Sequence, residues 1–143
     1  MIDQISEAKS IKELQLSLLQ RKSLISTPIL SDLKQVNRIY EMFNKIDSYR
    51  NPDAIKGSVI QKKRFCFIIL RIYSPGTILF NEPLVKGLRK QISQTLGVKC
   101  PSAISDYCEN VISYYRIYKG FREKLDYLYD EIICYLKADK IIS

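Results

Sequence analysis

The sequence predicts an all-α protein, a compact helical domain of about five or six helices ending in a long C-terminal helix. Three observations predict it. Only five glycines and five prolines interrupt the 143 residues, so long uninterrupted elements are expected. Ten apolar residues from Ile104 to Tyr135 follow one another three and four apart, which is the period of a helix face. The most apolar stretch, residues 59–73, is too long for an ordinary strand and shows no alternation of period two. Apolar residues make up 46% of the chain and charged residues 27%, a composition that folds and argues against disorder. Two parts of one compact unit are expected, a helical hairpin over residues 1–50 and a core over residues 51–143.

Ser10-Ile11-Lys12-Glu13 has the form of a capping box and predicts a helix start. Ile11, Leu14, Leu18 and Ile25 then share one face, with Leu16 and Leu19 widening it, and the helix is expected to end near Ser26. Thr27-Pro28 reads as the next N-cap, with proline where its missing N–H costs nothing. Leu33, Val36, Tyr40 and Phe43 mark the inner face of a second helix to about Ile46, and so short a connection predicts an antiparallel pair. The polar stretch Asp47–Gly57, with Asn51-Pro52-Asp53, reads as a linker. Ser58-Val59-Ile60-Gln61 offers a second capping box before a helix over 59–73, apolar nearly all round and therefore central. Ser74-Pro75-Gly76 stops it.

Asn81 is expected to cap the next helix, with Pro83 in its first turn, Leu84, Leu88, Ile92 and Leu96 inside, and Gly97 as a left-handed C-cap. Cys100-Pro101-Ser102 turns into the last element, about 35 residues long, with Gly120 placed to permit a bend. Its aromatic stripe reads as core or as the seam of a homodimer formed through this C-terminal helix.

The net charge of +8 is uneven. Residues 56–124 hold thirteen basic and four acidic side chains, a net +9, while residues 1–55 are nearly balanced and 125–143 are net acidic. Such clustering suits a surface that meets a polyanion. Catalysis is a poor fit. The chain has no histidine, which removes the commonest general base and every Ser–His or Cys–His pair. No Gly-rich phosphate loop is present, and the four cysteines lack the close pairing of a zinc site, so neither cofactor nor metal is expected. Spread cysteines fit reduced thiols in the cytoplasm. The apolar run Phe65–Leu70 is far short of the ~20 residues that span a bilayer, so no membrane is expected.

Leu84–Tyr115 has the outline of a helix-turn-helix: a helix ending in Leu96-Gly97-Val98, a turn Lys99-Cys100-Pro101, and a helix opening Ser102-Ala103-Ile104-Ser105. These residues resemble the turn and recognition-helix start of bacterial helix-turn-helix regulators. In outline they are similar to the C-terminal domains of replication initiators and to the tryptophan repressor. The stretch Gly97–Ile104 is one residue longer than the commonest turn and holds Pro101. The resemblance implies a DNA-binding transcriptional or replication regulator, usually dimeric, with duplex DNA as partner and no enzymatic activity. With Ile104, Tyr107 and Val111 turned inward, Ser102, Ser105 and Asn110 would read bases or phosphates. Arg89, Lys90 and Lys99 would neutralise flanking phosphates, and Lys62, Lys63 and Arg64 would extend the track. Asp106 and Glu109 share the outward face and oppose phosphate. The alternative is a helical assembly protein that uses its amphipathic and heptad surfaces without nucleic acid.

Overall fold

Residues 59–73 form a helix with the bounds the sequence suggests, and the rest of the molecule is arranged around it. In the computed structural model, which describes residues 3–52 and 55–143, the helices are α1 (Gln4–Ile25), α2 (Val36–Arg50), α3 (Val59–Tyr73), α4 (Pro75–Phe80), α5 (Leu88–Leu96), α6 (Pro101–Ile117) and α7 (Lys119–Ala138). A 3-10 turn at Leu33–Gln35 precedes α2, and no strand occurs among the described residues. The described residues thus hold seven α-helices rather than five or six. The short α4 and the division of the last element account for the difference.

The Ser58 side chain accepts a hydrogen bond from the Gln61 amide at 3.3 Å, as a capping box requires. The reciprocal bond lands one residue early, on the Gly57 amide. From Phe65 to Leu70 every residue of α3 is buried, and Ile72 and Tyr73 continue the run. A helix apolar on all sides needs neighbours on all sides. α2, α5, α6 and α7 supply them: Phe43 meets Phe65 edge-on at 5.5 Å between centroids, and Phe67 stacks on Tyr115 at 4.5 Å. Val36, Ile39, Phe43 and Ile46 of α2, Leu88 and Ile92 of α5, and Leu125, Leu128, Ile132 and Leu136 of α7 close one core.

Several boundaries differ from expectation. α1 starts at Gln4, capped by Asp3, whose carboxylate takes the Ile5 amide at 3.0 Å and the Ser6 hydroxyl at 2.8 Å. Ser10 is therefore an interior residue. α1 has no buried residue, so residues 11–46 do not form a packed hairpin. α2 instead gives its apolar face to α5 and α7. Residues 27–32 are not helical. The Ile29 amide donates to the Ile72 carbonyl and the Tyr73 hydroxyl to the Asp32 carbonyl, which pins this strap across the end of α3.

Asn81 ends α4 in a left-handed conformation instead of opening a helix, and Gly87 (φ 84°) stands at the N-cap of α5. Gly97 is the left-handed C-cap expected of it, with φ 69°. The last element breaks at Tyr118, whose φ −104° and ψ 108° are extended; Gly120 lies inside α7. That break folds α7 back on α6 and α2, so the inner residues of the apolar seam are filled from within the chain.

The linker reading of Asp47–Gly57 also needs correction at its start. Asp53 lies outside the described residues, but α2 runs on to Arg50 and Asp47 is 1% exposed. Its carboxylate accepts from Asn51 and Gln61 and pairs with Arg64 at 3.1 Å, tying α2 to α3. A buried carboxylate is tolerated only when its oxygens are satisfied in this way. Arg64 is itself largely covered, so removing Asp47 strands a cation. Asp47→Ala should cost about 3 kcal/mol of stability in urea unfolding. A loss below about 1 kcal/mol would mean that the Arg64 charge escapes to solvent.

Candidate nucleic-acid interface

The segment 83–105 contains four cations, Lys86, Arg89, Lys90 and Lys99, and no Asp or Glu. All four are exposed, and none forms an ion pair among the described residues. The helices that carry them follow from local chemistry. Gly97 can take positive φ without strain and ends α5, while the Ser93 hydroxyl donates to the Val98 carbonyl at 2.5 Å and fixes the turn. Pro101 then occupies the first position of α6, where its ring suits the helix and no amide is wasted.

α6 buries Ile104, Cys108 and Val111 against α3 and α5. Tyr107 is only half-buried, so the inner face lies slightly round from the one expected. Pro101, Ser102, Asp106, Glu109, Asn110 and Ser113 are exposed, leaving the first half of the helix open to solvent. Ser105 stands at the margin, half-buried.

The sequence-assigned residues divide into two groups. Arg89 and Ser105 line one cleft of about 480 Å³ between α6 and the approach to α5, together with Asn81, Glu109, Ser113 and Arg116. Lys99 and Ser102 flank the first turn of α6, Asn110 follows on its outer face, and Lys90 is exposed beside Arg89 on α5. Lys62, Lys63 and Arg64 are half-buried, and none of them lines that cleft. The Lys63 ammonium sits 5.4 Å from the Tyr114 ring centre, twelve residues beyond Ser102 and so about 18 Å along the helix axis. Arg64 faces α2, held by Asp47.

Arg116, at the last turn of α6, also belongs to the cleft. Its guanidinium donates to the Ile78 carbonyl at 2.6 Å. The signal was present as spacing, because Ser105, Glu109, Ile112 and Arg116 recur at i, i+4, i+7 and i+11 on one edge of the helix.

The exposed face of α6 is not itself cationic. Asp106 and Glu109 have no ion-pair partner among the described residues, so the positive charge is confined to the rim. Some cations elsewhere are paired across helices, Arg38 with Asp139, Arg50 with Glu131 and Arg71 with Asp126. The described residues contain no cluster of His, Cys, Asp and Glu suited to a metal, and no helix long and apolar enough to cross a membrane. Compared with protein-family models, curated protein sequences and solved structures, the chain matches none.

Cys100, immediately before α6, reports on this surface. Its sulfur lies 2.7 Å from the Ser102 hydroxyl, and that contact, with the Ser102 and Ala103 amides, holds the thiol below its ordinary value. Cys66 is the opposite case, since its hydrogen bond with Cys108 and its burial raise the thiol well above that value. An aromatic disulfide reagent at neutral pH should therefore label Cys100 first and exposed Cys134 more slowly, with Cys66 and Cys108 reacting only on unfolding. Peptide mass mapping over time checks the order. Early labelling of Cys66 would contradict the closed core.

Proposed function

We propose that this chain is a DNA-binding protein, a helix-turn-helix regulator of transcription or replication that presents α6 to the major groove of duplex DNA. The observation that carries the reading is the open first half of α6, edged by Arg89, Lys90 and Lys99 and by no carboxylate from residue 83 to 105. An α-helix fits the major groove, and cations on the preceding helix and turn meet the phosphate backbone beside it. α5 plays the preceding helix, and α3 is the support against which both are held.

The outer face of α6 has the chemistry of a reader more than of a clamp. Asn110 pairs with the N6 and N7 edge of adenine, and Ser102 and Ser105 donate or accept. Asp106 and Glu109, set in the centre of the groove away from phosphates, accept from a cytosine amino group. Lys99 and Arg89 position the helix electrostatically, and Arg116 adds a contact at the far edge of the cleft. Lys62 and Lys63 belong to a more distant backbone contact, and Arg64 to the fold. No catalytic role is assigned to any residue.

A second reading, a helical assembly protein, is favoured by one observation: α1 displays its apolar residues to solvent. The two readings part on salt. Titrated with fluorescent mixed-sequence duplex at about 50 and 200 mM salt, a DNA binder with several phosphate contacts should lose at least about tenfold in affinity. Absence of binding at the lower salt would favour assembly.

Arg89→Ala with Lys90→Ala should weaken binding about tenfold and lower the slope of log K against log salt by roughly two, with unchanged helicity. Unchanged affinity would remove both residues from the interface. Asn110→Ala should leave that slope alone and cost about 1–3 kcal/mol of discrimination at one base pair of a selected site.

A further inference from the structure

α1 is 22 residues long, about 33 Å, and contributes nothing to the core. Its contact with the body is confined to its last turns, where the Lys22 ammonium reaches Glu82 at 3.1 Å and the Phe80 ring at 4.7 Å. Yet it carries eight large aliphatic residues, Ile11 at 47% exposure and Ile5 at 84% marking the extremes. An isolated helix of this length is marginal in water, and four of the eight, Ile11, Leu14, Leu18 and Ile25, share one face as an exposed apolar stripe of the kind that marks an interface.

The pattern on α1 states which kind of interface. Glu7, Ile11, Leu14, Leu18, Arg21 and Ile25 follow one another at alternating spacings of four and three, the seam of a coiled coil. Ile11, Leu14, Leu18 and Ile25 are 47%, 65%, 63% and 62% exposed, so the seam is open along its length. The two charged members are of opposite sign and lie toward opposite ends. If two copies pair in parallel, Glu7 stacks on Glu7 and Arg21 on Arg21. If they pair antiparallel about residue 16, Leu14 of each copy meets Leu18 of the other. Glu7 then lies one turn, about 6 Å, from Arg21 of the other copy, twice over by symmetry.

We infer that α1 is a self-association arm, an antiparallel two-helix seam joining two copies of this chain through Ile11, Leu14, Leu18 and Ile25, with Glu7 and Arg21 setting the direction. The inference does not depend on the DNA reading, and it places the dimer contact at the N-terminal helix, since the core already fills the inner positions of the C-terminal ones. Of the six seam layers two pair Leu14 with Leu18, and four set Ile11 against the aliphatic stem of Arg21 or Ile25 against that of Glu7; together they bury on the order of 1,000 Å², at the lower edge of stable protein interfaces. The expected dissociation constant is therefore in the region of micromolar. Leu16 and Leu19 lie on the far side of the helix and stay outside the seam.

Sedimentation equilibrium on the full chain tests it. The wild type should be a dimer at about 50 µM. Leu14→Glu with Leu18→Glu should raise the dissociation constant at least about 100-fold, with the thermal midpoint of the body unchanged because α1 buries nothing there. Leu16→Glu with Leu19→Glu should leave it within about threefold. Glu7→Arg alone should weaken the dimer about tenfold, and Arg21→Glu added to it should restore it within about threefold. Rescue by the double exchange is peculiar to the antiparallel seam. A chain that remains monomeric to about 200 µM overturns the inference, as does a dimer indifferent to Leu14 and Leu18. A monomer whose α1 amides gain exchange protection only on anionic lipid vesicles overturns it in favour of a membrane surface.

Discussion

α3 has no solvent face between Phe65 and Leu70, and that constraint organises the molecule. A helix of this kind is stable only inside a ring of other helices, each giving up one apolar stripe to it. α6, α5, α2 and α7 are consequently all held against it, and α7 also meets α2 and α6. The break at Tyr118 follows from this requirement. A continuous helix from Pro101 to Ala138 would run away from the core, leaving Leu125, Leu128, Ile132 and Leu136 uncovered, whereas a single extended residue lets all four be buried.

The same ring sorts the charges. Two cations of α3 find carboxylates across helix boundaries, Arg71 with Asp126 and Arg64 with buried Asp47. Those pairs are matters of packing. Lys86, Arg89, Lys90 and Lys99 are exposed and form no ion pair among the described residues, although Glu82 and Glu109 line the same cleft as Arg89. The positive rim beside α6 is thus a product of local composition and a rigid support behind it. The outer face of α6, bearing Ser102, Asp106, Glu109 and Asn110, is itself acidic, so the cations beside it are the part of this surface suited to a polyanion.

α1 stands outside this scheme, and the reason is geometric. The apolar face of α2, which the sequence pairs with α1, is the face that α7 and α5 occupy. With the core already closed by the chain itself, the stripe on α1 has no site left in the same molecule. The strap over residues 27–32, pinned to Ile72 and by Tyr73, holds the base of α1 to the end of α3 and leaves its length free.

Much of the local structure was legible in the sequence. The bounds of α3, the end of α1 and the left-handed cap at Gly97 come from signals that operate within four or five residues, namely side-chain caps, positive-φ glycine and period 3.6. Proline misled at Pro28 and Pro83, and α6 opens at Pro101, one residue before the expected Ser102. The exposure of Ser102, Lys99 and Asn110 followed from the same periodicity. What the tertiary structure alone decided was everything that depends on which apolar stripe meets which. It sent α7 rather than α1 to α2, turned Asp47 from a linker residue into a buried ligand of Arg64, put Arg116 in one cleft with Arg89, and set Lys63 against Tyr114. Periodicity names the face a helix must bury but carries no record of its partner, because every apolar stripe is chemically interchangeable until chain length and the space around α3 permit one arrangement.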